Sequence, residues 1–315
     1  VVHNRVDDNY LRTTPGLYPD LLHPLIYGDC YAVCQQQLRS IWFDFNPEGK
    51  LDAGEYEIKL RITTTDGIYI REIPFTVEIL PASLPEEDHI CTNWFYTDCL
   101  ADYYRVPVWS EEHWRIVENF VHAAVRGGVN MLLTPIFTPA LDTAVGGERT
   151  TVQLTEIFCD NGVWSFDFAR LDRWIEMAQR QGIEYFEMAH LYTQWGAGHA
   201  PKIMATVDGE YKRIFGWDTD ATGEDYPPFL RAMLTAFLAH MKERGDDQRC
   251  LFHISDEPNL AQLEQYKKSK ATVADLLEGY TIMDALSEYE FYCEGVVTTP
   301  IPSNNSIEPF IAGGV

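Results

Sequence analysis

Residues 253–259 read HISDEPN. An apolar run, Cys250-Leu251-Phe252-His253-Ile254, stops there at two adjacent carboxylates, Asp256 and Glu257, with Pro258 directly behind them. Neighbouring carboxyls can divide general-acid and general-base work, and one of a pair can act as a nucleophile. Other apolar runs end in similar company. Asn93, Trp94, Tyr96 and Asp98 close the run near 90–95; Glu187 and His190, then Tyr192 and Trp195, close 183–189; Asp284 lies in the run near 280–285. Carboxylates and aromatic rings dominate this set, which contains no Lys. Such a mixture suits a sugar, whose flat apolar faces stack on Trp and Tyr while carboxylates bond its hydroxyls. Trp217, in a long loop, is a further candidate platform.

Plainer readings stand beside these. Asp256 and Glu257, with Pro258 and Asn259, could simply open the helix NLAQLEQY, an acid near the N-cap and a proline in the first turn. His253 could be a satisfied core histidine, and Trp195 and Trp217 could be structural. His190 and His199 are possible metal ligands, but the first run offers no His-x-His partner, so no metal and no cofactor is expected. Cys30 and Cys34 have a C-x3-C spacing without a second pair, which favours a structural reading.

The elements that must position these groups follow two patterns. Residues 38–80 alternate apolar and polar (LRSIWFDF, GEYEIKLRIT, IYIREIPFTVEIL) around an Asp-Gly turn, which predicts long antiparallel strands and part of a β-sandwich over 1–84. PASLPEED (81–88) reads as a linker. Beyond it, six apolar runs near 90–95, 129–134, 183–189, 250–255, 280–285 and 296–300 alternate with helical stretches near 110–126, 167–181, 228–244 and 259–278. Ser110 is placed to cap one helix and Gly182 to end another. TVQLTEIFCDNGVWSFD and KIMATVDGEYKRIFG read as inserted hairpins. Parallel strands with helical crossovers, and no G-x-G-x-x-G turn, predict an α/β fold: a (β/α)8 TIM-type barrel over 85–315, incomplete after its sixth strand. Catalytic groups in such a barrel sit at the C-terminal strand ends. An unclosed barrel also leaves strand edges that a partner chain, such as a second copy, or an extension of this one would have to cover.

Composition narrows the partners. The 315 residues are 46% hydrophobic and carry a net charge of −24 with pI near 4.6, which disfavours nucleic acid and anionic membrane surfaces. No stretch is long and apolar enough to span a bilayer, and a soluble chain is expected. Seven scattered cysteines, with no recognisable signal peptide, suggest a reducing, cytoplasmic location.

HISDEPN, together with GLYPDLLHPL (16–25), NPEGKLDAGEYEI (46–58), APKIMATVDG (200–209), IFGWDT (214–219) and IMDALSEYEFY (282–292), resembles glycoside hydrolase family 123 and related uncharacterised barrel proteins. The resemblance implies a retaining exo-β-N-acetylhexosaminidase, acting on N-acetylgalactosamine in a glycan or glycoconjugate. It assigns Asp256 to the acetamide and Glu257 to general acid–base catalysis, with Trp195, His199 and Trp217 the first further residues to carry over. Adjacent carboxyls fit this chemistry. Two carboxyls on opposite faces of a sugar must be about 5–5.5 Å apart with one as nucleophile, whereas a 2-acetamido group supplies its own attacking oxygen. A partly apolar setting is expected around Glu257, which must start protonated. Two alternatives remain: a carbohydrate-binding barrel without turnover, and a glycosidase using Glu187 or Asp284 as a protein nucleophile.

Overall fold

The computed structural model describes residues 22–24, 30–33, 35–36, 39–47, 49–83 and 89–315. The chain forms two compact units, Val1–Glu87 and Asp88–Val315. The expected boundary at 84/85, Cys34 and most of GLYPDLLHPL lie outside the described residues.

In the first unit, β1 (Gly54–Thr63) and β2 (Ile70–Ile79) form an antiparallel ladder running from Gly54↔Ile79 to Thr63↔Ile70. The turn is built as its residues require. Asp66 Oδ1 accepts the Ile68 N–H at 3.0 Å, and Gly67 takes φ 70°, a conformation glycine adopts without steric cost. The alternation at 39–45 does not become a strand: no ladder includes the described residues 39–47, and Ile41, Trp42, Phe43 and Phe45 are exposed. Period-2 patterning makes a strand only where a partner edge is present to bond it. The described part of this unit is thus a two-stranded sheet rather than a sandwich.

The second unit begins with α1 (Thr97–Tyr104), α2 (Glu111–Arg126), β3 (Met131–Thr134), β4 (Glu156–Asp160), β5 (Val163–Asp167), α3 (Ala169–Gln181) and β6 (Tyr185–Met188). It continues with β7 (Ile203–Val207), β8 (Glu210–Phe215), α4 (Tyr226–Arg244), β9 (Cys250–Phe252), α5 (Leu263–Ala271), β10 (Thr281–Leu286), α6 (Tyr289–Cys293), β11 (Thr299–Pro302) and α7 (Glu308–Ala312). Strands β3, β6, β9, β10 and β11 form one parallel sheet in chain order, and Thr92 adds a parallel bridge to Met131 at the other edge of β3. All six expected runs are therefore present as parallel neighbours. Among the described residues no pairing joins the Thr92 segment to β11, so the sheet is not a closed barrel.

Helix boundaries follow local chemistry. Ser110 Oγ accepts the His113 N–H at 3.2 Å to start α2, and Gly182 ends α3 at φ 108°. The strands are apolar on both faces, as buried parallel strands must be. Leu132, Phe186, Cys250, Phe252 and Ile282 join the large core shared with the helices, while Met131, Leu251 and Met283, with Tyr185 against them, form a smaller cluster at alternate positions. The two inserted hairpins, β4–β5 and β7–β8, combine through parallel β4–β7 pairing into a four-stranded sheet of their own.

Candidate active site

Strand β9 ends at Phe252, and the next five residues divide sharply in environment. His253, Ile254 and Ser255 are buried, Asp256 is partly buried, and Glu257 is exposed at φ 43°. Positive φ in a non-glycine residue is uncommon and is held only by its surroundings. Here the holding comes from both sides. Pro258 is buried, and Asn259 caps the following 3-10 turn: its Oδ1 accepts the Ala261 N–H at 3.0 Å while Gln262 Oε1 accepts the Asn259 N–H at 3.1 Å. Capping therefore belongs to Asn259. Among the described residues, no side-chain hydrogen bond engages Asp256 or Glu257, which leaves both carboxyls free for a ligand.

Burial and then the adjacent Glu257 charge push Asp256 up to about 6, with Asp284 and Asp142 adding and His253 opposing. The expectation placed the apolar setting around Glu257; the structure puts the desolvated carboxyl one residue earlier. The reason is geometric, since the left-handed turn at 257 carries the second side chain out to solvent.

Beneath the pair lies a closed polar cluster. His253 Nε2 meets Glu187 Oε1 at 2.6 Å and its Nδ1 meets Asp284 Oδ1 at 3.2 Å. Thr92 donates to Glu187 at 2.6 Å, and Tyr266 donates to Asp284 at 2.5 Å. All three members of the His253 cluster are at most 1% exposed. Burial alone would lower His253, but its bonds to Asp284 and Glu187 and their charges raise it to about 9. Burial likewise opposes ionisation of Glu187, yet the His253 contact outweighs it and holds that carboxyl below its ordinary value. Asp284 is pushed up by complete burial, against donors from His253, Tyr266 and the backbone. The cluster is thus an imidazolium between two acids. Both His253 nitrogens are thus engaged within the cluster, and Glu187 and Asp284 are bonded to it, to Thr92, to Tyr266 and to the backbone of 254 and 255.

His190 stacks on His253 with centroids 4.2 Å apart and planes at 15°, and Trp94 stands edge-on to both at 5.5 and 6.2 Å. Burial and the His253 charge hold His190 well below its ordinary value, so it is neutral. Both of its ring nitrogens are buried without a hydrogen-bond partner among the described residues. His190, His253 and Asp284 bring ligand-type atoms within 4.8 Å of one another. Stacked rings point their lone pairs side by side rather than at one ion, however, and the His253 nitrogens are already taken, so the set does not fit a metal.

Trp195, 49% exposed, is tied to the pair by its backbone N–H, which donates to the Asp256 carbonyl at 2.9 Å. The Tyr96 ring lies under Arg149 at 3.9 Å, and Arg149 grips Asp98 with two bonds of 2.8 and 3.1 Å. Burial and nearby Asp142 push the Tyr96 hydroxyl up, and Asp256 also contributes. The His199 and Trp217 rings pack on each other with centroids 5.8 Å apart. Sequence reasoning missed Asp142 and Arg149, which lie in the long loop beyond β3 where no periodicity marks them, and Ser255, whose neighbours drew attention first.

A parallel α/β sheet that carries a carboxyl pair at the C-terminal end of a central strand, with exposed and half-buried aromatic rings nearby, has the kinds of group that sugar-processing sites use. Residues 94–313 match the glycoside hydrolase 123 catalytic domain, and the chain belongs to that family. A solved family 123 glycoside hydrolase from Clostridium perfringens, described in connection with glycolipid glycan hydrolysis, is similar in fold, with 15% sequence identity and a TM-score of 0.60. The similarity covers 82% of this chain and 46% of that one, so this chain spans under half of that protein's length. No curated protein matches the sequence. Among the described residues no helix is long and apolar enough to cross a membrane.

Proposed function

We propose that the protein is a retaining exo-β-N-acetylhexosaminidase, with N-acetylgalactosamine its preferred sugar, in which the substrate's acetamide oxygen attacks the anomeric carbon. One observation carries this reading: the other buried acids near the pair, Glu187 and Asp284, are both consumed by His253 and its neighbours, while Asp256 and Glu257 are unengaged. In this reading the six parallel segments are the first six strands of a (β/α)8 barrel. Asp256 accepts the acetamide N–H and stabilises the positive charge developing on the oxazolinium ion. Glu257, exposed in the free protein, loses its solvent as the sugar covers it, protonates the departing oxygen and then removes a proton from the water that opens the ring. Trp195 offers a stacking face beside the pair, Trp94 and Tyr96 supply further aromatic walls, neutral His190 offers one donor and one acceptor, and the His199–Trp217 ring pair forms another wall.

A thiazoline that mimics the oxazolinium intermediate tests the binding part of this scheme. It should inhibit competitively and raise the melting temperature of the protein. Asp256→Asn should abolish most of that rise, whereas a 2-hydroxy sugar of the same configuration should produce little. Equal protection by both sugars would leave the acetamide without a role.

A further inference from the structure

We infer that Asp284 and Ser255 are positioning residues that hold Asp256, Glu257 and the Trp195 loop as one rigid unit, and that the His253 cation, anchored by Glu187, secures Asp284 for that task. The inference rests on the reading of Asp256 and Glu257 as the reacting pair.

Three sets of bonds converge on the end of β9. Asp284 Oδ1 accepts the Ile254 N–H at 3.1 Å and the Ser255 N–H at 3.3 Å, besides the His253 ring. These are the last two amides before Asp256. Ser255 Oγ donates to the Thr193 carbonyl at 2.9 Å and accepts the Gly196 and Ala197 N–H groups at 3.3 and 3.1 Å. The Trp195 N–H then closes the circuit on the Asp256 carbonyl. The loop needs such anchoring. Trp195, Gly196 and Ala197 take φ of 62°, 102° and 57°, three left-handed residues in succession, of which two are not glycine. At Gly196 a Cβ would fall 2.6 Å from Gln262 Cβ, and Gln262 is itself the partner in the Asn259 cap. The Trp195 face, the carboxyl pair and the capped turn are therefore assembled around a single buried hydroxyl and a single buried carboxylate.

A carboxylate suits position 284 because all its neighbours are donors: the His253 ring, the Tyr266 hydroxyl and two backbone N–H groups. An amide would turn one donor of its own toward them. The charge reaches the pair as well. The groups bearing on Asp256 are Glu257 beside it, His253 and Asp284 beneath it, Asp142 from the loop after β3, and Tyr96, which lies under Arg149. His253 is the cation in the set that acts directly on Asp256.

The test uses the full chain with 13C-labelled aspartate carboxyls, read by NMR titration, and amide exchange read by mass spectrometry. Ser255→Ala should stay folded, speed exchange at residues 195–197 roughly tenfold, and lower kcat more than it changes KM. His253→Gln should move the Asp256 titration midpoint upward, because a neighbouring cation that favours the carboxylate is gone. If His253→Gln does not fold, Asp284→Asn gives the exchange readout over 254–257. Unchanged exchange and an unchanged midpoint in folded variants would overturn the inference. Exchange and titration that move as stated, with no glycoside turned over by the wild type, would leave the positioning unit standing and remove the assigned reaction.

Discussion

His253 and Asp256 sit three residues apart at the end of one strand, yet they belong to different physical regimes. The first is sealed, charged and bonded on both sides; the second is part-buried, unengaged and pushed toward protonation. A buried ion pair is costly to break but adds little that a good apolar core would not, whereas a desolvated, unpaired carboxyl is a net cost to the fold. The contrast teaches where function lies. Perturbed proton affinity alone would point to both groups; the proposed assignment separates them by engagement, since the His253 nitrogens are bonded to Glu187 and Asp284 while the Asp256 carboxyl carries no side-chain hydrogen bond among the described residues.

The largest effect that could break this comparison is on stability. His253→Ala should destabilise the fold by about 3–5 kcal/mol in urea unfolding at neutral pH, since it leaves Glu187 and Asp284 buried without their cation. The wild type should carry the matching pH signature. Because His253 is raised in the folded state to about 9, its contribution is complete below the ordinary histidine value and is lost as pH rises through about 9. A variant within about 1 kcal/mol of wild type would contradict the charged cluster.

Glu257→Gln should do the reverse. Its unfolding midpoint should stay within about 0.5 kcal/mol of wild type, as for an exposed surface change. Hydrolysis of glycosides with poor leaving groups should fall by about 10²–10⁴, and activated aryl glycosides should be largely spared. Equal losses on both substrate classes would remove Glu257 as the proton donor.

The smallest effect is the most diagnostic of a site kept at a cost. Asp256 has a folded value near 6, above its ordinary one, so stability is lost as pH rises from about 4 through about 6. Asp256→Asn removes that loss. Calorimetry should show the variant more stable by about 1–2 kcal/mol at pH 7.5 and no more stable at pH 4, while turnover collapses. No gain at pH 7.5 would mean that Asp256 is better solvated than its setting implies.

Much of the scaffold was legible in the sequence because it follows local rules. Buried strands announce themselves as short apolar runs, Ser110 and Gly182 mark helix ends, and Asp66-Gly67 and Asp208-Gly209 mark turns. The carboxyl pair was legible as well, because it interrupts an apolar run. What could not be read is non-local. Nothing in the spacing says that Glu187, His253 and Asp284, on β6, after β9 and on β10, share one buried hydrogen-bonded cluster. Nor does the sequence show that two separate hairpins would pair with each other, or that Ile41 to Phe45 would lack a strand partner.

The most direct test of the central claim compares two aryl glycosides of the same sugar configuration and leaving group, one bearing a 2-acetamido group and the other a 2-hydroxyl. If the acetamide is the nucleophile, kcat/KM for the acetamido substrate should exceed that for the hydroxyl substrate by several orders of magnitude, because the attacking atom is absent from the latter. Comparable values on the two, with a 2-fluoro sugar trapped covalently on a carboxylate such as Asp142, would show that the protein supplies its own nucleophile.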